Sequence, residues 1–391
     1  MERRYSGITL IALVLLTASV TLFFSILVFR PFHGVEGNLR TELERFQEVR
    51  EIISRHYVGD FEEAALTDAA LAATVSALRD PWSHFLSAEQ YESHLRAVGN
   101  QQQGIGLVFN RDEETNEILV VGTTSGSPAE AAGLAAGDTI VEMEGRCTAD
   151  MGTAEIRRMI GDNFGGTIVM EVRNEAGEMR TAIVEVQDFF VSPVSFEMME
   201  GDIGYIQIDN FDVGSGNETI AAIEALLEDG AQGLIFDVRG NPGGRVVELL
   251  QILDRLLPEG EIFVFQDAAG NESVRYSGPD YYLDIPMVVL VNGFSSSAAE
   301  FFAAILQEQD WATIVGTGTT GKGRSQVLIP LDGGGAILLS TSRYLTPGRV
   351  DLYEIGGIQP DVWVENQADG EDRQLDEAWE ILALRTLQPR V

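Results

Sequence analysis

The sequence is poor in positive charge and in cysteine. Its 391 residues contain 61 acidic residues against 26 basic ones, a formal net charge of −35, and a single cysteine, Cys147. A surface this acidic repels the phosphates of nucleic acids, and no run of Lys and Arg offsets it. One cysteine cannot form an internal disulfide, and we expect Cys147 to be a small buried side chain rather than a nucleophile. The composition therefore predicts a chain that does not bind nucleic acid and folds without disulfide bonds.

Lysine and histidine are also scarce, which limits the kinds of catalytic site that the chain can form. Of the 26 basic residues, 25 are arginine and one is lysine, Lys322. All four histidines, His33, His56, His84 and His94, lie before residue 100. A Ser-His-Asp triad within the C-terminal half is thereby excluded, and the GxSxG, HExxH and clustered Cys/His motifs are absent. The sequence indicates no metal and no organic cofactor.

One long apolar run stands at the N-terminus, in residues 1–32. Gly7 to Phe29 is 23 residues without a charge, about 35 Å as a helix, which is enough to span a bilayer. Arg3 and Arg4 precede it and favour a cytoplasmic N-terminus. A cleaved signal peptide is the alternative. Either way we expect the remaining chain outside the cytoplasm, anchored to the membrane or secreted.

The rest of the chain shows three patterns. Residues 33–100 have helical periodicity. Residues 101–188 contain short β-like runs separated by Gly, Asp and Asn turns, with one helical stretch, Ala154 to Ile160. From residue 189 to 391, apolar strands alternate with helices, which is typical of an α/β domain. We therefore expect a helical region, a β-rich module and an α/β domain in that order.

The β-rich module begins with the residues GIGL, Gly104, Ile105, Gly106 and Leu107. Adjacent glycines before a strand can free backbone N–H groups to bind a carboxylate, and an open strand beside them can accept a peptide by β-augmentation. The alternative is that the glycines only make tight turns. With SPAEAAGL and GDTIVEMEG following in order, the segment resembles a PDZ domain. We call residues 101–188 the PDZ-like module, and the resemblance implies that GIGL binds a peptide C-terminus.

Two segments of the α/β domain carry candidate catalytic groups. VNGFSSSAAEFF, Val291 to Phe302, places three serines where a buried strand gives way to a helix, whose N-terminus stabilises negative charge. GTGTTGKGRSQ, Gly316 to Gln326, carries the only lysine. Its amine can act as a general base if burial lowers its pKa from ~10.4 toward ~7 to 8, which the guanidinium of arginine cannot do.

The lysine loop also matches the start of a phosphate-binding P-loop. Gly316 to Lys322 fits GxxxxGK, but Gly323 replaces the Ser or Thr that would bind magnesium. The following RSQVLIPL is typical of a strand, whereas a P-loop continues into a helix. Nucleotide binding is therefore not the favoured interpretation.

Together these segments resemble the carboxy-terminal processing proteases, also called tail-specific proteases, which are serine enzymes with a Ser-Lys dyad. Beside the PDZ-like blocks, the resemblance rests on the motifs DPWSHF, GDIGYIQIDNF, FDVRGNPGG, FSSSAAE, GKGRSQ, and YLTPGR with GGIQPD. It implies Ser297 as the nucleophile, Lys322 as the general base and Gln326 as the residue that orients the amine. It also implies an oxyanion hole formed by the backbone N–H groups of Gly243 and Ala298.

The resemblance implies a fold and an activity as well. The fold is a crotonase-like α/β core of the ClpP-like β-spiral type, with an inserted PDZ-like domain, a helical N-terminal region and one transmembrane helix. The activity is that of a serine endopeptidase which binds the C-terminal region of protein substrates and cleaves through an acyl-enzyme, without metal or cofactor. A homo-oligomer is left open. The alternative is a membrane-anchored PDZ scaffold that has lost catalysis.

Overall fold

The computed structural model describes residues 36–113, 115–279, 282–367 and 370–386. The described residues divide into two compact units, with the boundary between Thr67 and Asp68. Among the described residues, no helix is both long and apolar enough to cross a bilayer. The predicted membrane segment from Gly7 to Phe29 lies outside the described residues.

The N-terminal region is helical, as the periodicity predicts. In chain order its elements are α1 (Glu36–His56), α2 (Glu63–Ser76), strand β1 (His84–Leu86) and α3 (Ala88–Val98). Helix α3 begins with a capping box, in which Ser87 Oγ accepts from the Gln90 N–H and the Gln90 side chain accepts from the Ser87 N–H. Such reciprocal bonds satisfy two N–H groups that the first turn leaves free.

The PDZ-like module contains most of the predicted strands and the predicted helix. Its elements are β2 (Gln101–Gly104), β3 (Leu107–Arg111), β4 (Ile118–Thr123), α4 (Pro128–Ala131), β5 (Thr139–Met143), β6 (Arg146–Cys147), α5 (Thr153–Asp162), β7 (Thr167–Arg173), β8 (Met179–Glu185) and β9 (Gln187–Phe190). One antiparallel sheet has the order β3-β4-β5-β7-β8, with β6 on β5, and β2 pairs with β9. Strand β3 is therefore an edge strand. Cys147 is exposed, so the expectation of a buried thiol is wrong.

The C-terminal region alternates strands and helices. Its elements are β10 (Val194–Met199), β11 (Ile203–Ile208), α6 (Ser215–Glu228), β12 (Gly233–Asp237), α7 (Val246–Leu256), β13 (Gly260–Asp267), β14 (Glu272–Ser277), β15 (Met287–Val291), α8 (Ala298–Glu308), β16 (Thr313–Gly316), β17 (Arg324–Pro330), β18 (Ala336–Leu345), α9 (Leu352–Ile355), β19 (Val362–Trp363) and α10 (Arg373–Thr386). This confirms a mixed α/β structure.

Its main sheet has the strand order β10-β11-β12-β15-β16-β19, parallel except for β10. Every residue of β12 and β15 is buried, as expected of strands covered on both faces. On one face, Phe236 and Val289 pack with α6, α7 and α8. On the other, Ile235 and Val288 pack with α10. The predicted catalytic segments follow the C-terminal ends of β12, β15 and β16.

A second, antiparallel sheet contains β1, β18, β13 and β14 in that order, with β17 also pairing with β18. It pairs β1, at the end of the DPWSHF segment, with β18, and β18 also pairs with β17, the strand that follows the lysine loop. Residues separated by more than 240 positions in sequence are thereby placed together, His84 opposite Leu338 for example.

Candidate active site

Ser297 lies at the junction between β15 and α8, directly before the first residue of the helix. Its side chain is buried, and its backbone has φ 54° and ψ −119°. A non-glycine residue in this region is strained, and such strain persists where the surrounding structure holds it. Ser295 has a different role, because its hydroxyl donates to the Val238 carbonyl at 2.8 Å and fixes the loop. Of these two buried hydroxyls, Ser297 lies at the helix N-terminus.

The NPGG loop packs directly on Ser297. Gly243 has φ 97°, and a Cβ built on it would lie 2.7 Å from Ser297 Cβ and 3.0 Å from the Ala298 nitrogen. No side chain larger than hydrogen fits between the loop and the serine. The neighbouring Gly244 pairs with Phe211, which holds the loop in place.

The two predicted oxyanion donors differ in their availability. The Ala298 N–H belongs to the first turn of α8, where backbone donors have no partner within the helix. The Gly243 N–H, in contrast, donates to Asn241 Oδ1 at 2.8 Å. The predicted oxyanion role needs a free Gly243 N–H, whereas the Asn241 side chain occupies this donor. An Asn side chain often binds the backbone two residues further on.

Lys322 lies in the loop between β16 and β17, with a half-buried side chain. Its amine is 4.8 Å from the centre of the Trp82 ring. Burial lowers the pKa of Lys322, while the negative charges of Glu300 and Asp80 act in the opposite direction. Within the part of the chain that the structure describes, no hydrogen bond joins the amine to Ser297 or to Gln326. The direction of the pKa shift is the one that a general base requires.

Gln326 does not orient the lysine in this structure. Its side-chain amide donates to the Arg324 carbonyl at 2.9 Å and to Ser340 Oγ at 3.3 Å. The pairing of β17 with β18 shifts register between Ser325 and Gln326, and the amide bonds to β18 beside this irregularity. The predicted contact between Gln326 and the amine of Lys322 is therefore replaced by contacts within the second sheet.

Glu300, the last residue of the FSSSAAE motif, connects the two predicted catalytic segments. Its carboxylate is fully buried and accepts from the backbone N–H groups of Ser297 (2.8 Å), Gly321 (2.5 Å) and Lys322 (2.8 Å) and from Thr319 Oγ1 (2.6 Å). A buried carboxylate needs such compensation. One side chain thus fixes the backbone of the serine and that of the lysine relative to each other. An acidic residue three positions after the serine, directly before the apolar stretch from Phe301 to Leu306, is the signal that could have found it.

The DPWSHF segment holds Trp82 over the lysine. Asp80 accepts from Ser83 Oγ at 2.5 Å and from the Trp82 N–H at 3.1 Å, and Ser83 Oγ accepts from the Ser340 N–H at 3.0 Å. Partial burial works to raise the pKa of Asp80, but these hydrogen bonds lower it overall. Asp80 therefore fixes the turn that carries the indole and adds a negative charge near Lys322.

An arginine network supports the loop that reaches Ser297. Arg239 donates to Asp237 at 2.6 to 3.0 Å and to Asp372 at 2.7 and 2.8 Å. Burial opposes the charge of Arg239, but the two carboxylates raise its pKa overall. Burial works to raise the pKa of Asp372, but the pairing with Arg239 lowers it to about 2. The end of β12 is thus tied to the segment before α10.

The GIGL segment forms a loop between β2 and β3. Gly104 has φ 135° and Gly106 has φ 69°. A Cβ on Gly106 would lie 2.2 Å from Ser127 Cβ and 2.9 Å from Phe189 Cζ. Close approach therefore requires glycine at position 106.

The same loop turns its carbonyls inward. The Ile105 and Gly106 carbonyls accept from the Ala129 and Thr124 N–H groups, each at 2.8 Å. Among the described residues, no acceptor takes the N–H of Ile105 or of Gly106. Leu107 then begins the edge strand β3. The loop thus has free donors beside an open strand, the combination that binds a terminal carboxylate.

Metal chemistry has no obvious ligand set in the described ranges. No group of three or more His, Cys, Asp or Glu side chains in them is arranged to hold a metal ion. The chemistry available at Ser297 is that of a hydroxyl, an amine, backbone donors and a buried carboxylate.

Comparisons with known proteins agree on one relationship. The family described as peptidase family S41 matches residues 202–364, and the PDZ domain family matches residues 120–174. The chain is similar to a carboxyl-terminal-processing protease of Synechocystis sp., with 31% identity over 304 residues that cover 76% of this chain and 71% of the relative. It is also similar to the carboxy-terminal processing protease CtpA of Bacillus subtilis, with 30% identity over 327 residues that cover 83% and 69%.

A solved structure is similar in fold. A protein of Bacteroides fragilis described as an S41 protease superimposes with a TM-score of 0.52 over 84% of this chain and 92% of its own. At 16% sequence identity this likeness concerns the fold alone. It agrees with the α/β domain and the β-rich module found here.

Proposed function

The chain belongs to the carboxyl-terminal processing proteases of peptidase family S41, and we propose that it cleaves protein substrates with a Ser297–Lys322 dyad after its PDZ domain binds their C-terminal ends. The observation that carries this proposal is the Glu300 carboxylate, which accepts from the backbone of both residues. A buried carboxylate fixes the backbone groups that donate to it. Here these include the N–H of Ser297, at the N-terminus of α8, and that of Lys322, the only lysine of the chain.

The proposed reaction begins with neutral Lys322. The amine takes the proton of the Ser297 hydroxyl as Oγ attacks the substrate carbonyl carbon, and the peptide C–N bond breaks as the ammonium returns the proton to the leaving amine. Water then attacks the acyl carbon as the same amine takes its proton, and the ammonium returns that proton to Ser297 Oγ as the acyl C–O bond breaks, which releases the carboxylic acid. Because Glu300 holds both backbones, only the flexible lysine side chain has to swing from Trp82 toward Ser297.

The negative charge of the intermediate needs backbone donors. The Ala298 N–H, next to Ser297 at the start of α8, is the donor that we propose. For Gly243 to contribute, its N–H must exchange Asn241 Oδ1 for the substrate oxygen. Substrate binding would thus complete the oxyanion hole.

The proposal also includes the fold of the protease core and the location of the chain. The parallel sheet with helices on both faces is compatible with the crotonase-like, ClpP-like core that the family resemblance implies. The apolar run from Gly7 to Phe29 supports an anchor with the protease outside the cytoplasm.

A PDZ scaffold without catalysis is the second candidate. It is favoured by one observation, namely that no hydrogen bond joins Ser297 and Lys322 among the described residues. It would bind the same peptides and leave them intact.

Cleavage of an unstructured protein ending in apolar residues separates the two candidates. We expect the wild-type chain to cleave it and both Ser297→Ala and Lys322→Arg to abolish cleavage. The matched control is Ser296→Ala, which removes the neighbouring hydroxyl and should keep the activity. Activity that survives Ser297→Ala or Lys322→Arg would exclude the dyad, and an inactive wild type that binds the substrate would favour the scaffold.

A further inference from the structure

The peptide groove of the PDZ domain has two chemically different ends. It is a cavity of about 410 Å³ between β3 and α5, closed at one end by the GIGL loop. At that end Ile160 of α5 approaches the loop, since a Cβ on Gly104 would lie 4.0 Å from Ile160 Cγ2. Ile160 and Leu107 make this end apolar. A terminal carboxylate in the loop would place an apolar last side chain between them.

One helical turn earlier, the groove wall carries a cation. The Arg157 guanidinium lies 5.1 Å from the centre of the Phe109 ring, and both residues line the cavity. Arg157 makes no ion pair with any described residue. Its side chain is exposed, so a ligand in the groove can reach the guanidinium. The stacking on Phe109 holds the guanidinium at the wall.

Strand geometry gives the peptide position that meets this cation. A peptide whose carboxylate lies in the loop runs antiparallel to β3, so its last residue lies opposite Leu107 and its third-from-last residue opposite Phe109. Side chains two apart share a face. The side chains of Leu107 and Phe109 both point toward the domain core, under α5. The third-from-last side chain of the peptide therefore points at Arg157.

We propose that Arg157 selects substrates that carry Asp or Glu two residues before an apolar C-terminal residue. This inference rests on the proposed function, because it names the substrate class of the same PDZ groove. The acidic side chain would supply the partner that Arg157 lacks within the described chain. Arg157 acts as a specificity residue and takes no part in the chemistry at Ser297.

Peptide binding to the full chain tests the proposal. The Ser297→Ala chain is titrated into fluorescent decapeptides that differ only near the end, Asp-Ala-Leu, Lys-Ala-Leu and Asp-Ala-Leu amide. We expect the Asp peptide to bind about tenfold more tightly than the Lys peptide, as for an attractive pair exchanged for a repulsive one at a partly exposed site. Arg157→Glu should reverse the order, and Arg157→Gln should remove it. Arg158→Glu, one position on and outside the groove lining, is the matched control and should keep it.

The outcomes separate this inference from the proposed function. Equal affinities for the Asp and Lys peptides, with the free acid still preferred over the amide, would overturn the role of Arg157 and leave the PDZ capture intact. A preference for Asp that persists in Arg157→Glu would also overturn it. If the free acid and the amide bind alike, carboxylate capture itself is wrong, and the inference fails with it.

Discussion

The amine of Lys322 lies 4.8 Å from the centre of the Trp82 ring, which is cation–π distance. An aromatic face favours the ammonium, whereas burial favours the neutral amine and lowers the pKa of Lys322. The proton affinity of the proposed base therefore depends on its desolvated site, which favours the neutral amine, and on Trp82, Glu300 and Asp80, which favour the ammonium. Lys322 can therefore contact the indole as an ammonium and react as a neutral amine.

Replacement of Trp82 should change the pH dependence of cleavage. If neutral Lys322 is the base, the wild-type rate rises with pH through the lowered pKa. In Trp82→Leu, which keeps apolar cover and removes the aromatic face, loss of ~0.5 to 1 kcal/mol of cation–π attraction moves this limb to lower pH by about half a unit. The measurement is kcat/KM against pH, with the exposed Trp363→Leu as control. A shift to higher pH, or a flat profile in the wild type, would contradict the role of the amine.

Glu300→Gln should separate the two catalytic segments. A single amide oxygen cannot replace a carboxylate that accepts from four donors, so about two hydrogen bonds to a charged group are lost, roughly 3 to 6 kcal/mol of unfolding free energy. We expect cleavage, measured well below the melting temperature, to fall about 10²-fold because the serine and lysine are displaced. Glu308→Gln, at the exposed end of the same helix, is the control. Wild-type activity in folded Glu300→Gln would show that Glu300 has no positioning role.

Two glycines of one loop differ only in what surrounds them. Gly243 and Gly240 both have positive φ, but a Cβ on Gly240 meets nothing within 4 Å. Gly240→Ala should therefore cost only about 1 to 2 kcal/mol of backbone strain and keep cleavage. Gly243→Ala should be destabilised more and should lose cleavage, because the new methyl contacts Ser297. Similar activity in the two variants, measured on folded protein, would be inconsistent with the loop packing on Ser297.

Asp212 predicts a pH dependence of stability. Burial raises the pKa of Asp212 to about 6, with Glu248 acting in the same direction and Arg245 against it. A folded-state pKa above the unfolded value of ~3.8 means that stability is lost as the pH rises from about 4 to 6. The melting temperature of Asp212→Asn relative to wild type should rise over this window and level off above it. The exposed Asp209→Asn is the control, and a constant difference for Asp212→Asn would contradict the shifted pKa.

Much of the fold could be predicted from local pattern. The continuous apolar runs of β12 and β15, and the strand-to-helix junction that carries Ser297, match the structure to within a residue or two. Strands β13 and β14 were not predicted. Most of β14 is exposed, so it lacks the apolar alternation that identifies a strand, and it is defined by pairing with β13.

The site could be predicted only in part, because several contacts link distant positions. Three of the four partners of Glu300 lie 19 to 22 residues further along the chain, and nothing local marks them. Trp82 meets Lys322 only because β1 pairs with β18. The bonds of Gln326 to the second sheet depend on a register shift, which a motif cannot encode.

The proposed mechanism requires that Ser297 becomes acylated, and trapping the acyl-enzyme detects this step. The wild-type chain is mixed with an activated acyl ester, quenched in acid, and digested for mass spectrometry of the peptide that holds Ser295, Ser296 and Ser297. We expect one acyl group on Ser297, none in Ser297→Ala, and slower acylation in Lys322→Arg. An acyl group on Ser295 or Ser296, or substrate cleavage by Ser297→Ala, would contradict the proposed mechanism.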